Sequence, residues 1–341
     1  MSETGHQVNV AAPPAILPEA APAGRGRGVR RLLARVPEWA VLVVVLGVLV
    51  AVFSARSPYF FNGDNFINIL IASAVVGIIA CPTTMLLIAG QFDLSVGAGV
   101  ALVTAMFATS LVGGDGTFVS VLIGLAVGIG IGALNGFLVT VVGVNALITT
   151  IGTLGAMRAF AYIRTDGQAI GFNGFTTLGI DRPFLNIPWM VWIFACIVLI
   201  TAFVMRRTTY GRALYAIGAN PTAARLAGIR TRYVIFLGFV ISGLAVGLTG
   251  LLVASQTGQG SGNAAIGLEF QAVTAVILGG ASLAGGRGSI VGTILGVLVI
   301  GVINNGLVLL NVVSFWQDVV RNLLLIAAVA IDQLRLRIAR E

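Results

Sequence analysis

Ten apolar segments, each about as long as a membrane-spanning helix, follow one another along this chain. They cover residues 39–55, 66–89, 94–112, 117–142, 145–163, 189–205, 233–254, 269–285, 289–310 and 316–334. Only 9% of the residues are charged, against roughly a quarter in a soluble domain, so the chain cannot cover itself with a hydrated surface. The sequence therefore predicts an all-α integral membrane protein, a bundle of about ten transmembrane helices.

The arginines between the segments predict which side of the membrane each connection occupies. With the N-terminal tail inside and the segments alternating, fifteen arginines fall inside, and only Arg56, Arg164 and Arg182 fall outside. Both termini should then be cytoplasmic. We expect a disordered basic tail over residues 1–37, a transmembrane domain over 38–335 with a cytoplasmic loop at 206–232, and a cytoplasmic end over 336–341. Because topology explains these arginines, the net charge of +8 does not indicate nucleic-acid binding.

The basic residues also exclude several kinds of chemistry, since all twenty of them are arginine. Without lysine the chain has no P-loop lysine for ATP, and no amine for a Schiff base. The single histidine, His6, lies in the tail, and the two cysteines have no metal-ligand spacing. We expect no catalytic residue, no metal and no cofactor in this chain.

Glycines recur every fourth residue within one apolar segment and again from the turn just before another. This spacing keeps small residues on one helical face, so that neighbouring backbones can approach closely. The sequence therefore predicts helix–helix contacts at these positions. They are Gly124, Gly128, Gly132 and Gly136, and then Gly288, Gly292 and Gly296.

The loop at 206–232 has the sequence features of a short, capped helix. Asn220 is a favourable N-cap, Pro221 suits the first helical position, and Gly228 can end the helix in the left-handed conformation. Small residues at Ala223 and Ala224 suit a socket on a partner protein. A loop that merely connects two spans is the alternative interpretation.

Polar residues within or beside the apolar segments are candidates for a translocation pathway. Asp93 and Ser95 stand at the start of the third segment, where Asp93 can cap a helix or form a hinge. The uncharged candidates either link helices by hydrogen bonds or line a wet path for a sugar; they are Asn135, Gln271, Thr274, Asn304 and Asn305. No segment has a mid-depth carboxylate, which argues against ion coupling. Asp318 and Arg321 are spaced to pair along one helical face.

Four stretches, in this order, resemble the permease subunits of ribose-type ATP-binding-cassette importers. They are GQFDLSVG at 90–97, the capped segment at 210–229, AVILGGASLAGGRGS at 275–289, and VINNGLVL at 302–309. Gln91 and Phe92 stand where that family usually has Gly-Ile. The resemblance covers roughly residues 39–334.

This resemblance implies a transport subunit of a bacterial inner membrane rather than an enzyme. Such subunits pair with a second copy or a paralogue, and a periplasmic binding protein delivers a monosaccharide to them. A separate ATPase, often of double length, holds the ATP and magnesium. The resemblance implies that one loop receives the movement of this ATPase. Its residues are Gly211, Arg212, Gly218, Asn220, Ala224 and Gly228.

Several alternatives remain open at this point. Within the importer class, the substrate could be a branched-chain amino acid or a nucleoside. A self-standing, ion-coupled secondary transporter is a second hypothesis, and a membrane enzyme is a third. The capped segment argues against the second, and the absence of a catalytic constellation argues against the third.

Overall fold

A computed structural model describes residues 38–338 of the chain; the predicted tail at 1–37 and residues 339–341 lie outside it. The helices are α1 (Glu38–Arg56), α2 (Gly63–Ile88), α3 (Val96–Val112), α4 (Gly116–Phe137, continued by a π-helical turn at Leu138–Val142), α5 (Ala146–Arg164), α6 (Trp189–Arg207), α7 (Thr209–Ala219), α8 (Pro221–Leu226), α9 (Thr231–Thr257), α10 (Leu268–Leu278), α11 (Ile290–Leu309) and α12 (Ser314–Ile338). Two short strands, β1 (Ile170–Gly171) and β2 (Gln259–Gly260), pair antiparallel.

A helix lies at each of the ten apolar segments, which confirms the prediction of an all-α membrane protein. Among residues 38–338, six helices are long and apolar enough to cross a membrane; they are α2, α4 with its π-helical turn, α5, α6, α9 and α11. Three more apolar helices are shorter: Ala40–Arg56, Val96–Val112 and Leu268–Leu278. The number of crossings and the side of each terminus therefore stay predictions.

The helix predicted over 269–285 is wrong in its extent. α10 ends at Leu278 after 11 residues, a length of about 16 Å, roughly half the thickness of the hydrocarbon core. Beyond it, Gly280, Gly285 and Gly286 have φ values of +90°, +84° and +74°. A right-handed helix cannot continue through left-handed residues, so 279–289 forms a loop.

The second half of α2 is enclosed by protein. Every residue from Val76 to Ile88 is buried, and α2 packs against α6, α9, α10 and α11. The Thr84 and Thr293 hydroxyls share a hydrogen bond of 2.7 Å, which joins α2 to α11. The last turns of α2 therefore lie at the centre of the bundle, in contact with four other helices.

The glycine repeat of α4 lies directly against α9. A Cβ at Gly128 would lie 2.5 Å from the carbonyl oxygen of Gly243, and a Cβ at Gly132 would overlap the carbonyl of Phe239. Added side chains at Gly124 and Gly136 would meet α9 at Leu251 and Phe236. The two backbones can touch only because these positions lack side chains.

The second glycine repeat is only partly helical. On α11, a Cβ at Gly292 would overlap the carbonyl of Gly279, and one at Gly296 would overlap that of Ala275, at the α10 side. Gly288 instead lies in the loop, because α11 starts only at Ile290 and Gly288 has a φ of +152°. The expectation of three glycines on one helix is therefore wrong for Gly288.

Connections predicted to be on the same side of the membrane touch one another. At the predicted outer end, Gly179 in the 165–188 connection donates a backbone hydrogen bond of 2.9 Å to Ser255 at the end of α9. β1 and β2 belong to these same two connections. At the predicted inner end, the backbone N–H of Gly286 donates to the carbonyl of Ile88, at 2.8 Å. This grouping is the one that the alternating topology requires.

Candidate translocation and coupling sites

The predicted capped segment forms two helices, α7 and α8, joined at Asn220. The Asn220 side-chain oxygen accepts hydrogen bonds from the N–H groups of Thr222 and Ala223, both at 3.0 Å, and Pro221 occupies the first turn. After α8, Gly228 has a φ of +84°. The sequence signals therefore give the local structure that they predict.

One feature predicted for α8 is wrong, namely that Ala224 faces a partner. Ala224 is only 4% exposed and belongs to an internal apolar cluster with Met85 and Leu214. The large apolar side chain that α8 exposes is Leu226, at 86%, and Ala223 is exposed as well. Sequence spacing could not separate these faces, because the phase of so short a helix depends on what it packs against.

Gly211 shapes the turn between α6 and α7. A Cβ there would lie 2.5 Å from the carbonyl oxygen of Val204 and 2.7 Å from the Cα of Met205, so the backbones of the two helices are in contact. The neighbouring Arg212 is exposed on the surface of α7. Gly211 thus has a packing role, whereas Arg212 is accessible to a partner.

Gly218 sits on a junction of three chain segments. An added Cβ would overlap the carbonyl oxygen of Ile88 at the end of α2 and lie 2.5 Å from the backbone nitrogen of Gly286. Nearby, the Tyr215 hydroxyl donates a 2.8 Å hydrogen bond to the carbonyl of Gly288. Burial raises the pKa of this phenol above its ordinary value, so it stays protonated as a donor. α7 is therefore fastened to both α2 and the 279–289 loop.

Asp93 and Ser95 lie in the non-helical break between α2 and α3, at the centre of a buried polar network. One carboxylate oxygen of Asp93 accepts from the backbone N–H of Ser95 at 3.1 Å and from its hydroxyl at 2.6 Å. The other accepts from the hydroxyl of Ser242 on α9, at 2.7 Å. Asn135 on α4 donates to Ser95 at 2.8 Å. The network connects the start of α3 with α4 and α9.

A second polar cluster surrounds a cavity of about 420 Å³ between α10, α11 and α12. Gln271, Thr274 and Arg321 line it. The Asn304 amide donates to Gln271 at 3.3 Å and accepts from the Nε of Arg321 at 2.9 Å. Two of the predicted pathway residues, Gln271 and Thr274, thus line one cavity at the predicted outer half of the bundle, and a third, Asn304, contacts it through Gln271 and Arg321.

Charged groups also border this cavity. Arg321 pairs with Asp318 at 2.8 Å, as their spacing predicted. Glu269, which is 5% exposed, lines the cavity too, and its Oε2 has no hydrogen-bond donor among residues 38–338. The same side chain approaches Gly97 at the start of α3. This oxygen has no exposed surface and lies against Gly97, so the Glu269 side chain packs the start of α10 against the start of α3.

Asn305 belongs to neither group, although it is adjacent to Asn304. Its amide donates to the side-chain oxygen of Asn65 on α2, at 2.8 Å, and Asn65 donates to the carbonyl of Phe60. Consecutive helical residues project about 100° apart, so the two asparagines serve different neighbours. The seven predicted pathway residues therefore divide among three places.

Two carboxylates that the sequence places near helix ends are buried in the protein. Asp93 is 3% exposed and Glu269 is 5% exposed. A lack of buried carboxylates therefore cannot be used to exclude ion coupling, because the predicted segment ends are not at the surface.

Sequence reasoning missed Ser242 and Glu269 as members of these clusters. It also missed Arg158 on α5, which donates hydrogen bonds to the carbonyls of Gly262 and Ala264 at 2.8 and 2.7 Å. An arginine inside an apolar segment is a signal that could have been followed. Ser242 offers none, because single serines are common in packed membrane helices.

Known proteins resemble this chain over most of its length. The model of a family described as "Branched-chain amino acid transport system / permease component" matches residues 65–329. The probable ABC transporter permease protein YphD of Escherichia coli K12 is 38% identical over 309 residues, which cover 90% of this chain and 93% of YphD. No solved structure matches at a significant level.

Two further relatives have names that state a substrate. The ribose import permease protein RbsC of Escherichia coli K12 is 37% identical, over 85% of this chain and 92% of RbsC. The L-arabinose transport system permease protein AraH of the same organism is 36% identical, over 88% of this chain and 92% of AraH.

Proposed function

We propose that this chain, which belongs to the family of branched-chain amino acid transport system permease components, is the membrane-spanning subunit of an ATP-driven monosaccharide importer. The observation that carries the proposal is the likeness to RbsC and AraH, two sugar permeases by name, over more than four fifths of the chain. A permease component of this family acts in transport and is not itself an enzyme.

The energy is supplied by a separate ATPase of the bacterial cytoplasm, where ATP and magnesium are bound. This chain offers no P-loop lysine, since all its basic residues are arginine. It offers instead the capped helix α8, with Leu226 exposed. An exposed large apolar side chain on a rigid, capped helix is the kind of group that fills a pocket on a partner. We place the ATPase, as one double-length chain or two halves, on this face.

Movement of the ATPase reaches the bundle through α7. Gly218 contacts the end of α2 and the 279–289 loop without an intervening side chain, so a displacement of α7 presses on both. The end of α2 leads through the break at 89–95 into the Asp93 network, and the loop leads into α10 and α11. The mechanism is alternating access, in which these elements open the bundle first to one side and then to the other.

The sugar passes the cavity formed by α10, α11 and α12. Gln271 and Arg321 line this cavity and offer hydrogen-bond donors and acceptors, and Asn304 holds both side chains in place. A neutral sugar needs such a mixture, and weak binding suffices because a periplasmic binding protein supplies the affinity. Two permease chains, identical or paralogous, form the pathway in the inner membrane.

Uptake by intact cells tests the substrate class. A strain lacking this gene should lose binding-protein-dependent uptake of a labelled pentose or hexose, and the intact gene should restore it. Leucine and uridine are the controls, because a branched-chain amino acid or a nucleoside is the alternative substrate. Restored leucine or uridine uptake with unchanged sugar uptake would reject the monosaccharide assignment.

A pair of variants tests the cavity. Gln271→Leu removes one hydrogen-bonding group from the cavity and leaves Asn304 without its acceptor. We expect sugar transport to fall by up to roughly tenfold, because the sugar loses a hydrogen-bond partner and one hydrogen bond contributes about 0.5–1.5 kcal/mol. Gln256→Leu, at an exposed position at the end of α9, is the matched control. Equal transport in the two variants at equal expression would remove Gln271 from the pathway.

A further inference from the structure

A cleft of about 1000 Å³ lies at the predicted cytoplasmic end, where the turn between α4 and α5 faces the start of α9. One wall is apolar and is built from Val139, Val141, Val142, Val144 and Leu147. Of these, four are exposed: Val141 at 61%, Val142 at 57%, Leu147 at 43% and Val144 at 36%. This wall continues the surface of two membrane-spanning helices, so it lies where lipid chains meet the protein.

The opposite wall is strongly basic. Arg225, Arg230 and Arg232 line it, and none of the described residues lining the cleft is acidic. Within residues 38–338, no hydrogen bond or ion pair engages the three guanidinium groups; the side-chain donors among the arginines are Arg158 and Arg321. Three permanent positive charges therefore face one apolar cleft without a counter-charge from the described part of the protein.

The start of α9 adds backbone donors to this wall. Arg230 occupies the N-cap position but makes no side-chain cap. Among the described residues, no acceptor binds the backbone N–H groups of Arg232 and Tyr233, and both residues line the cleft. The unsatisfied N–H groups and the positive end of a 27-residue helix favour an anion.

We propose that this cleft binds the phosphate headgroup of an anionic phospholipid, with an acyl chain along the valine wall. Arg230, Arg232 and the α9 N-terminus hold the phosphate, and Val141 and Val142 contact the chain. The combination of a basic wall with an apolar wall selects a lipid, since a soluble anion would leave the valines exposed to water. An acidic surface of the ATPase would likewise leave the valines exposed to water.

Occupancy of this site also reaches the transport machinery. Gly90, Gln91 and Phe92 line the same cleft and lead directly into the Asp93 network. Arg225, on α8, lines it as well. The lipid therefore contacts both α8 and the break between α2 and α3. This second consequence rests on the proposed function, whereas binding of the lipid does not.

Binding is tested with the purified full-length permease and phosphatidylglycerol in mixed micelles. Arg230→Gln/Arg232→Gln removes two charges from the cleft but leaves α8 unchanged. Arg206→Gln/Arg207→Gln removes two exposed charges from the same loop, outside the cleft, and is the matched control. At roughly 5-fold per arginine, we expect the cleft variant to bind phosphatidylglycerol at least tenfold more weakly than the control variant. Phosphatidylcholine, which has no net charge, should bind the cleft variant and the control variant equally.

Other outcomes would overturn the proposal. Equal loss in both double variants would mean attraction by loop charge alone. Full competition by glycerol 3-phosphate would mean a soluble anion site. Loss of ATPase association by the cleft variant in phosphatidylcholine would assign the arginines to the ATPase.

A measurement on the unchanged protein guards against misfolding of a variant. Lipid binding should weaken steeply towards 1 M salt, where the screening length falls to about 3 Å. Salt-independent binding would contradict a charged site.

Discussion

The backbone N–H of Gly286 donates a 2.8 Å hydrogen bond to the carbonyl oxygen of Ile88, so the loop before α11 is tied to the end of α2. Gly218 of α7 lies directly against this bond, and there is no room for a Cβ at Gly218. Helix α7 therefore contacts the core of the bundle through main-chain atoms. Main-chain contacts transmit displacement with little slack, because they have no rotamers to adjust.

Gly218→Ala should uncouple transport from ATP hydrolysis. The new Cβ would overlap the Ile88 carbonyl, and neither main chain can move aside cheaply, so α7 must tilt away from the junction. We expect sugar uptake to fall at least roughly tenfold, about 1.4 kcal/mol, while the ATPase still associates through α8. The measurement is transport and ATPase activity of the reconstituted complex.

Gly152→Ala is the control for this experiment. Gly152 is also helical, but an added Cβ there has no neighbour within 4 Å. Transport should stay at the wild-type level, since Ala favours a helix over Gly. Full transport by Gly218→Ala would show that the junction does not transmit the movement of the ATPase.

Leu226→Asp should weaken the association of the ATPase. Burying a leucine at an interface stabilises it by about 1.5–3 kcal/mol, so co-purification should drop at least tenfold without a change in the thermal stability of the permease. Ala224→Leu should instead lower the thermal stability of the permease, because Ala224 packs inside the chain and the added methyl groups strain the cluster. If Leu226→Asp binds the ATPase normally, α8 is not the docking element.

The contact between α4 and α9 can be tested with two glycines on one helix. Gly132→Ala would push a Cβ into the Phe239 carbonyl and should destabilise the permease by about 1–3 kcal/mol. Gly130→Ala has no neighbour within 4 Å and should be neutral or slightly stabilising. Thermal unfolding in detergent compares them. Equal midpoints would mean that the close approach of α4 and α9 does not contribute to stability.

Hydropathy predicted where the helices lie, because a membrane requires long runs without charge. It could not predict that α10 ends at Leu278, since Gly279 and Gly280 are equally compatible with a packed helix. The left-handed residues that stop this helix become evident only when the loop meets α2 and α7. The half-length of α10 is a property of the tertiary packing.

The candidate site was predictable by residue type but not by grouping. The neutral polar residues were recognised, yet Asn304 and Asn305 contact different helices, and Asp93 binds Ser242 from a segment 149 positions away. Which groups meet depends on the rotation of each helix relative to its neighbours. A run that is apolar all round carries no signal of that rotation.

The predicted topology can be checked with two exposed positions in a Cys196→Ser background, which leaves only the buried Cys81. Asn173→Cys lies beside β1 at the predicted outer end, and Thr222→Cys lies on α8. A membrane-impermeant maleimide added to intact cells should label the first and not the second. Labelling of both positions would mean that the number of crossings between them is wrong.

The central claim is that ATP hydrolysis in a partner chain drives sugar through this permease. Its most direct test is sugar uptake by proteoliposomes that contain the permease and its ATPase, with the binding protein outside and ATP inside. Uptake should require both ATP and the ATPase, and an uncoupler that abolishes the proton gradient should leave it unchanged. Uptake that continues without ATP and stops with the uncoupler would contradict the account and establish an ion-coupled transporter.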